Sequence, residues 1–352
     1  SPDFTFHIVA LFSFAFFTHF DKSRFEVFGY SLTGENAMAA ELSSHASAWR
    51  YVGGGTPTEI AERIRADEID ILFDLAGHSA NNALPVLALR PAPVQISGIG
   101  YFDTTGLSAV DYVLGDPYVD PQGMEERFAE QILRLPYTHL CFTPSDRFQP
   151  YEHLRRVPHD PVIFASFNNF AKITDEMLVL WGEILRAVPA ARLLLKNVHP
   201  RKDALERMRQ RAKRAGIDFA RLELRPGSKD YLPDYLDVDI ILDTFPYQGG
   251  GTTCEALFMG LPVVTLAGRR HGARFGVSLL CNVGLGELVA ESTEAYVERA
   301  VGLASDPELL AALHAAIPRM MRASPLMDGQ GYVRAMEAAY EMIWERYLNE
   351  EA

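Results

Sequence analysis

The sequence predicts an α/β chain of two doubly wound, Rossmann-like domains, followed by closing helices. Short, nearly continuous apolar runs alternate with helical patterns, which is typical of parallel sheets covered on both faces. The alternation occurs twice, and the two series are separated by Pro144–Pro161, a stretch with four prolines and no apolar periodicity. A length of 352 residues also favours two domains, at roughly 100–200 residues per domain.

The predicted elements follow the chain in order. Strands of the first series are predicted at Phe25–Tyr30, Ile69–Leu75, Val94–Gly98 and Val110–Leu114. Strands of the second series are predicted at Val162–Ser166, Arg192–Lys196, Leu222–Leu224, Asp239–Asp243 and Pro262–Leu266. Helices beside them are predicted at Val9–Phe20, Pro57–Ala66, Asp175–Ala187, Lys202–Ala215, Thr253–Met259 and Gly272–Cys281. Three closing helices are predicted at Thr293–Ala304, Pro307–Met321 and Gly331–Tyr347. The predicted domains are residues 1–150, residues 151–325 and a C-terminal helix at 326–352.

The charge balance limits the class of partner. Lys and Arg number 33 and Asp and Glu number 46, so the formal net charge is −13. An acidic surface repels phosphate backbones and anionic membranes, so neither nucleic acid nor a membrane surface is an expected partner. A bound phosphate must instead be held by a local cluster of donors. The three cysteines, Cys141, Cys254 and Cys281, are far apart and form no CxxC motif, which suits a reducing compartment and predicts a cytoplasmic protein.

The most apolar stretch is Ile8–Phe17, which is too short for a membrane span of ~20 residues. It fits either the core of a signal peptide or a buried helix. Asp3 lies where a signal peptide has basic residues, which favours the buried helix.

A glycine-rich turn follows a strand in the second domain. The segment Asp239–Leu257 reads DIILDTFPYQGGGTTCEAL, and its turn contains Gly249, Gly250 and Gly251. Thr252 is predicted to begin a helix and to form a capping box with Glu255. Glycines allow close backbone approach, and free N–H groups at a helix start bind anions. The turn therefore fits a phosphate site, and it equally fits a tight turn with an ordinary cap.

A second strand exit, Ser166–Thr174, carries a cation. Lys172 precedes a helix that Thr174 or Asp175 could cap, and it is expected at the same end of the sheet as the glycine turn. There it could stabilise a departing diphosphate, although most lysines are simply solvated. Asn168 and Asn169 could donate to a ligand or only form the turn.

The first domain offers weaker candidates. His78 lies in the polar loop Asp74–Asn82, a glycine-rich exit occupies Gly98–Gly106, and His7 precedes the first helix. Each histidine suits proton transfer near neutral pH, but a lone histidine is more often structural. The Asp237-Val238-Asp239 triplet is not interpreted as a metal site, because Asp239 opens a buried strand. No metal is expected, since neither HExxH nor a His/Cys cluster occurs.

These segments together resemble the catalytic region of the O-GlcNAc transferase/SPINDLY family. The resemblance rests on ordered blocks between Ser1 and about Gly268, and it extends through SPLMDG to Tyr347. The blocks are SPDFTFH, DILFDLAGHSANN, LRPAPVQISGIGY, TTGLSAVDYVLGDP, SFNNFAKIT, ILDTFPYQGGGTTCEAL and GLPVVTLAG.

The resemblance implies a GT-B fold, with two Rossmann-like domains facing across a cleft. It implies an inverting, metal-independent glycosyltransferase that modifies Ser or Thr hydroxyls of proteins and needs no cofactor besides the nucleotide-sugar co-substrate, most simply UDP-GlcNAc. By position, Lys172 matches the essential lysine beside the diphosphate, and His7 matches a histidine of disputed role near the acceptor.

Further residues are assigned by the same resemblance. Asn169 matches a nucleotide-contacting position, Tyr231 a position near the base, and Glu255 an acidic residue near the ribose. Diphosphate contacts are implied for Gly249, Gly250, Gly251, Thr252 and Thr253. The sugar and acceptor loops are represented by His78, Gly100, Phe102 and Thr104.

Departures from the family leave alternatives open. Tyr101-Phe102-Asp103 replaces the usual Tyr-Pro-Gly or Tyr-Pro-Asn, and Gly251 replaces a threonine. The strand that precedes this region in relatives is absent, which predicts an incomplete first sheet, and so is the TPR-like region that recruits acceptors. The alternatives are protein O-fucosylation from GDP-fucose, as in plant SPINDLY members, and a non-catalytic binding module derived from the enzyme.

Overall fold

Every strand pairing that the structure describes is parallel, as the sequence predicts. The computed structural model describes residues 1–153 and 155–351, and the chain divides into two compact units. The first unit contains residues 1–144 and the segment that starts at residue 325, and the second contains Ser145–Ser324. Helices flank the sheets in both units, so the predicted α/β class is confirmed.

The first unit contains two separate parallel sheets. The smaller sheet pairs β1 (Phe28–Ser31) with β2 (Ala48–Tyr51). The larger sheet has, in order, β3 (Ile71–Asp74), β4 (Val94–Ser97), β5 (Tyr112–Gly115) and β6 (Gln131–Arg134). The helices of this part of the chain are α1 (Ile8–Thr18), α2 (Ala37–His45), α3 (Pro57–Ala66) and α4 (Leu84–Leu87).

A cavity of about 600 Å³ lies within the first unit and is lined by residues of both β1 and β3. Ser1 borders it. The Ser1 ammonium donates to the Tyr30 carbonyl at 3.0 Å, and the Leu32 N–H donates to the Ser1 carbonyl at 3.0 Å. Two bonds that reach the residues on either side of Ser31 form the pattern of a parallel strand pair. Ser1 therefore occupies a strand position beside β1.

The second unit has one six-stranded sheet in the order β12-β11-β10-β7-β8-β9. Its strands are β7 (Ile163–Ser166), β8 (Arg192–Lys196), β9 (Leu222–Arg225), β10 (Ile240–Leu242), β11 (Val263–Leu266) and β12 (Val289–Ala290). Its helices are α5 (Asp175–Ala187), α6 (Lys202–Arg214), α7 (Gly251–Phe258), α8 (Phe275–Val283), α9 (Thr293–Ser305) and α10 (Pro307–Arg322). The first strand of the unit lies in the middle, which is the order of a doubly wound nucleotide-binding sheet.

The last helix, α11 (Gly329–Glu351), belongs to the first unit although it follows the second unit in the chain. The Phe142 N–H donates to the Leu326 carbonyl at 2.7 Å, and the Tyr332 hydroxyl donates to the His139 carbonyl at 2.9 Å. The rings of Phe16 in α1 and Tyr332 lie 5.4 Å apart. The core of the first unit is thus built from both ends of the sequence.

Local signals explain why several helices begin where the sequence predicts. At α3, the Thr56 hydroxyl accepts the Glu59 N–H at 3.3 Å, the Glu59 carboxylate accepts the Thr56 N–H at 2.7 Å, and Pro57 is the first helical residue. At α5, the Thr174 hydroxyl caps the helix by accepting the Met177 N–H at 3.2 Å. The predicted bounds of both helices are confirmed.

The sequence analysis missed β2, β6, β12, α2 and α4, the last of which has only four residues. The strands β2 (AWRY) and β6 (QILR) end their sheets, carry charged side chains and are mostly half-buried, so neither has an apolar run. The strand β12 has only two residues. The helix α2 is capped by Asn36, whose side chain accepts the Ala39 N–H, but it buries only Ala39 and Leu42. Short elements and edge strands therefore lack the periodic apolar residues that predict the other elements.

The apolar stretch at residues 8–17 is a helix with most of its residues buried, as one of its two interpretations predicts. Within residues 1–153 and 155–351, no single helix has the length and apolar character of a membrane span, and one pair, α9 and α10, meets those criteria together with a 97° bend between its members.

Candidate active site

The sheet order of the second unit predicts where a ligand binds. The strands β7 and β10 are neighbours in the sheet but are not consecutive in sequence. The strands that follow β7 in sequence lie on one side of this pair, and those that follow β10 lie on the other. Ligands of doubly wound sheets bind beyond the carboxyl ends of the strands at such a point. The segments that leave these two strands are the ones that carry Lys172 and the glycine turn.

Asp243 anchors this site. Its buried carboxylate accepts the Thr244 N–H at 2.9 Å, the Gly249 N–H at 2.8 Å and the Thr265 hydroxyl at 2.8 Å. Burial raises the pKa of Asp243 to about 6, although these bonds and the charge of Lys172 lower it. The carboxylate therefore stays ionised at neutral pH and fixes the start of the glycine turn.

The predicted capping box at Thr252 is wrong. Helix α7 begins at Gly251, Gly250 is its N-cap, and no side chain caps it. Thr252 is already helical, and its hydroxyl donates to the Asn168 side chain at 3.0 Å. A capping threonine needs an extended backbone before the helix, which the glycine turn does not provide here. The Thr253 N–H donates to the Gly250 carbonyl at 3.1 Å. The N–H groups of Gly251 and Thr252 precede the first intrahelical bond and can receive an anion.

Gly249 lies where a larger residue would be crowded by neighbouring side chains. A Cβ atom at this position would lie 2.5 Å from the Thr252 hydroxyl oxygen, 3.0 Å from that of Thr253 and 3.1 Å from the Asn168 side-chain oxygen. The Thr253 hydroxyl also donates to the Gly249 carbonyl at 3.0 Å. The turn therefore brings the backbone and three polar side chains together without space for one more carbon.

Lys172 reaches the same turn from the exit of β7. Its ammonium donates to the Gln248 carbonyl at 2.9 Å and lies 4.0 Å from the centre of the Tyr247 ring. Burial lowers the pKa of Lys172 to about 8, while the charge of Asp243 raises it. The sequence prediction that Lys172 and the glycine turn lie at the same end of the sheet is confirmed by these contacts.

The two asparagines before Lys172 do different things. Asn168 is buried, and its amide donates to Asp243 at 3.4 Å. Asn169 caps the short helix of Phe170–Lys172 by accepting the Ala171 N–H at 3.0 Å. Asn168 thus connects the exits of β7 and β10, and Asn169 sets the position of Lys172.

A buried carboxylate on α7 faces two tyrosines. Glu255 accepts a hydrogen bond from the Tyr231 hydroxyl and another, at 2.9 Å, from the Tyr235 hydroxyl. Burial raises the pKa of Glu255 to about 7, against the effect of both hydroxyls and of the Arg147 charge. The Arg147 guanidinium lies 5.6 Å from the Tyr231 ring centre. The positions assigned to the base and the ribose thus form one hydrogen-bonded group.

Contributors to this site that the sequence analysis missed include Tyr235, Asp243, Tyr247 and Gln248. Gln248 is buried, donates to the Leu266 carbonyl at 2.6 Å and accepts the Gly276 N–H at 2.7 Å. A polar residue that directly precedes a glycine turn was the available signal for Gln248. Tyr235 lies in a short helix whose tertiary contacts no local pattern reveals.

In the first unit, two predicted loops contact each other. The His78 Nε2 lies 2.8 Å from the Thr105 carbonyl, and its ring centre lies 5.3 Å from that of Tyr101. A Cβ atom at Gly100 would lie 1.9 Å from the Leu75 carbonyl oxygen, so only glycine fits. The Thr104 hydroxyl donates to buried Glu130 at 2.7 Å.

The backbone of this loop is strained. Ile99 has φ +67°, and the Gly100 N–H donates to the Gly98 carbonyl at 2.8 Å. A γ-turn with positive φ is rare, and more so at a β-branched residue. Strain of this kind concentrates at functional sites. Phe102 follows it as a half-buried side chain.

His7 is an exposed residue that caps α1, where its Nδ1 accepts the Val9 N–H at 3.3 Å. Its Nδ1 also lies 3.7 Å from Asp3. While Nδ1 accepts this bond, a neutral imidazole carries its proton on Nε2. His7 in this geometry can donate a hydrogen bond from Nε2 but cannot take a proton there.

Comparison with known proteins agrees with this geometry. The family model described as glycosyl transferase family 41 matches residues 1–157 and 152–336. The probable UDP-N-acetylglucosamine–peptide N-acetylglucosaminyltransferases SPINDLY of Hordeum vulgare and of Arabidopsis thaliana are each 39% identical to the chain, over 99% and 100% of its length. The chain spans only 38% and 39% of the length of these relatives.

A solved structure agrees as well. A mutant O-GlcNAc transferase of Thermobaculum terrenum is 34% identical, with a TM-score of 0.93, covering 100% of this chain and 68% of that one. The predicted GT-B type of α/β fold is confirmed by this match. From the family model, the curated relatives and the shared fold, the chain belongs to glycosyl transferase family 41.

Proposed function

We propose that this chain transfers a sugar from a nucleotide-sugar donor to Ser or Thr hydroxyls of proteins, with GlcNAc from UDP-GlcNAc as the first candidate. The observation that carries the proposal is the convergence of Lys172 with the open start of α7 at the switch point between β7 and β10. A lysine beside unpartnered helical N–H groups is suited to a diphosphate. The activity by which the SPINDLY relatives and the Thermobaculum terrenum enzyme are named supports the same donor class.

The proposed mechanism is a direct displacement. The acceptor oxygen forms a bond to the anomeric carbon while the bond from that carbon to the diphosphate oxygen breaks, which inverts the configuration. The proton of the acceptor hydroxyl passes to water. The electron pair leaves on the diphosphate, where Lys172 and the N-terminal N–H groups of α7 stabilise the developing charge. Because these groups supply the positive charge, we propose that the reaction needs no metal ion, and activity should survive EDTA.

Roles for the remaining candidates follow from their geometry. Glu255, oriented by Tyr231 and Tyr235, would accept hydrogen bonds from the ribose hydroxyls. His7 would donate from Nε2 to an acceptor or sugar oxygen rather than act as the base. His78, Gly100, Phe102 and Thr104 would shape the sugar and acceptor site of the first unit.

A binding panel tests the proposal. UDP, UDP-GlcNAc, UDP-glucose, GDP and GDP-fucose are titrated by calorimetry against the wild type, Lys172→Ala and the control Lys213→Ala, which changes an exposed lysine of α6. We expect selective binding of UDP and UDP-GlcNAc, weakened about tenfold or more by Lys172→Ala and unchanged by Lys213→Ala. Transfer to a serine-rich peptide should then occur with and without EDTA. A folded wild type that binds none of the five compounds would refute the proposal and favour a non-catalytic module.

Protein O-fucosylation from GDP-fucose is the second candidate. Glu255 is the observation that favours it, because an ionised carboxylate can accept both N–H groups on one edge of guanine, whereas uracil offers a single N–H. Preference for GDP and GDP-fucose in the same panel would establish this candidate and keep the role of Lys172.

A further inference from the structure

The turn between β10 and α7 is held rigidly before it meets any ligand. The Thr244 hydroxyl, itself buried, donates to the Tyr247 carbonyl at 2.8 Å. The Gln248 N–H donates to the Gly272 carbonyl at 3.1 Å, and the Gln248 side chain bonds to β11 and α8. The backbone of Tyr247 and Gln248 is therefore fixed on several sides.

Two contacts of Lys172 belong to this rigid turn. One is the 2.9 Å bond to the Gln248 carbonyl, and the other is the 4.0 Å approach to the Tyr247 ring face. An ammonium within about 6 Å of a ring centre is attracted by the negative ring face. Tyr247 is 41% exposed, so its ring lies partly in solvent beside the ammonium.

The Tyr247 ring can stabilise the charged form of Lys172, which burial disfavours. Burial of the ammonium favours its neutral form and lowers its pKa to about 8. The charged group that opposes this is Asp243, whose carboxylate is already engaged by three hydrogen bonds of its own turn and of β11. A ring face attracts a cation but not a neutral amine, so Tyr247 acts in the same direction as Asp243.

We propose that Tyr247 is a positioning residue for sugar transfer, whose ring face keeps the Lys172 ammonium charged and directed at the glycine turn until a diphosphate binds. The inference rests on the proposed function for its catalytic meaning, but the contact itself does not depend on that function. In the reaction, the ammonium moves from the ring and the Gln248 carbonyl to the diphosphate oxygens. The turn between β10 and α7 holds it close to the place where the diphosphate binds.

The test compares Tyr247→Phe, which keeps the ring face, with Tyr247→Leu, which removes it. Acylation of Lys172 by an amine-directed reagent is followed by mass spectrometry from pH 6 to 10, with Lys213 as the internal reference. We expect the labelling midpoint of Lys172 to move to lower pH by roughly half a unit to one unit in Tyr247→Leu and to stay in place in Tyr247→Phe. The midpoint of Lys213 should not move in either variant.

Activity supplies the second readout. In Tyr247→Leu, the alkaline limb of kcat/KM for transfer should move to lower pH by the same amount, while Tyr247→Phe should follow the wild type. An unchanged labelling midpoint in Tyr247→Leu, or an equal shift in Tyr247→Phe, would overturn the inference. If Tyr247→Leu melts early, Tyr247→Gln replaces it. A wild type that transfers no sugar would refute the proposed function alone, because labelling still tests the contact.

Discussion

Adding one methyl group at Gly249 tests the geometry of the glycine turn. In Gly249→Ala the new Cβ atom lies 2.5 Å from the Thr252 hydroxyl oxygen, well inside van der Waals contact, so the hydroxyl must leave its 3.0 Å bond to Asn168. Overpacking of this kind costs about 1–3 kcal/mol, and the lost hydrogen bond adds roughly 0.5–1.5 kcal/mol. We expect the free energy of unfolding to fall by about 1.5–4.5 kcal/mol.

The same methyl group should weaken nucleotide binding, because it displaces the residues that start α7. A loss of roughly 1.4–2.8 kcal/mol in diphosphate contacts corresponds to about 10- to 100-fold in Kd for UDP or GDP, measured by calorimetry. The matched control is Gly302→Ala, an exposed position inside α9 where a Cβ atom would meet nothing within 4 Å. That control should stabilise the protein by up to about 1 kcal/mol and leave binding unchanged. Wild-type affinity and stability in Gly249→Ala would refute the assignment of the turn.

Two other predictions use different groups. The pKa of Lys172 is lowered to about 8, and only the ammonium can stabilise a leaving diphosphate. The value of kcat/KM should therefore fall as pH rises through 8, while kcat, which reports the liganded enzyme, should hold to higher pH. A flat kcat/KM from pH 7 to 10 would contradict this. The pKa of Glu255 is raised to about 7, so the carboxylate that accepts hydrogen bonds is lost as pH falls below 7. Nucleoside affinity should weaken there in the wild type but not in Glu255→Gln. Equal pH profiles in calorimetry would exclude a ligand role for Glu255.

The parts of the fold that sequence predicted well are the buried ones. Both ends of α5 could be placed because Thr174 caps an amphipathic stretch, and β8 could be placed because an apolar run ends at Lys196. The strands β2 and β6 could not, since their half-buried residues depend on a neighbouring strand rather than on a local pattern. Burial of one or both faces therefore made most elements predictable, although the half-buried strand β9 was predicted too.

In the candidate site, too, local patterns predicted some features, and contacts between distant residues determined the others. Lys172 and the glycine turn could be assigned to one end of a parallel sheet from strand exits alone. The bond that the Thr252 hydroxyl makes instead of capping α7 could not be predicted locally, because its partner, Asn168, lies 84 positions earlier in the chain. The pairing of Glu255 with Tyr231 and Tyr235 is likewise a tertiary contact across a turn. Motifs located the site, and long-range packing decided what each side chain does within it.

The return of α11 to the first unit has a consequence for biosynthesis. A ribosome releases residues 1–144 first, yet the hydrogen bonds of Phe142 and His139 to this segment can form only after residues 325–351 have been made. The second unit is continuous in sequence and can fold as soon as it emerges. Until residues 325–351 have been made, the part of the first unit that α11 covers, which includes the Phe16 ring of α1, lacks that cover. Nascent-chain proteolysis should therefore find the second unit protected before the first, an order of folding opposite to the order of synthesis.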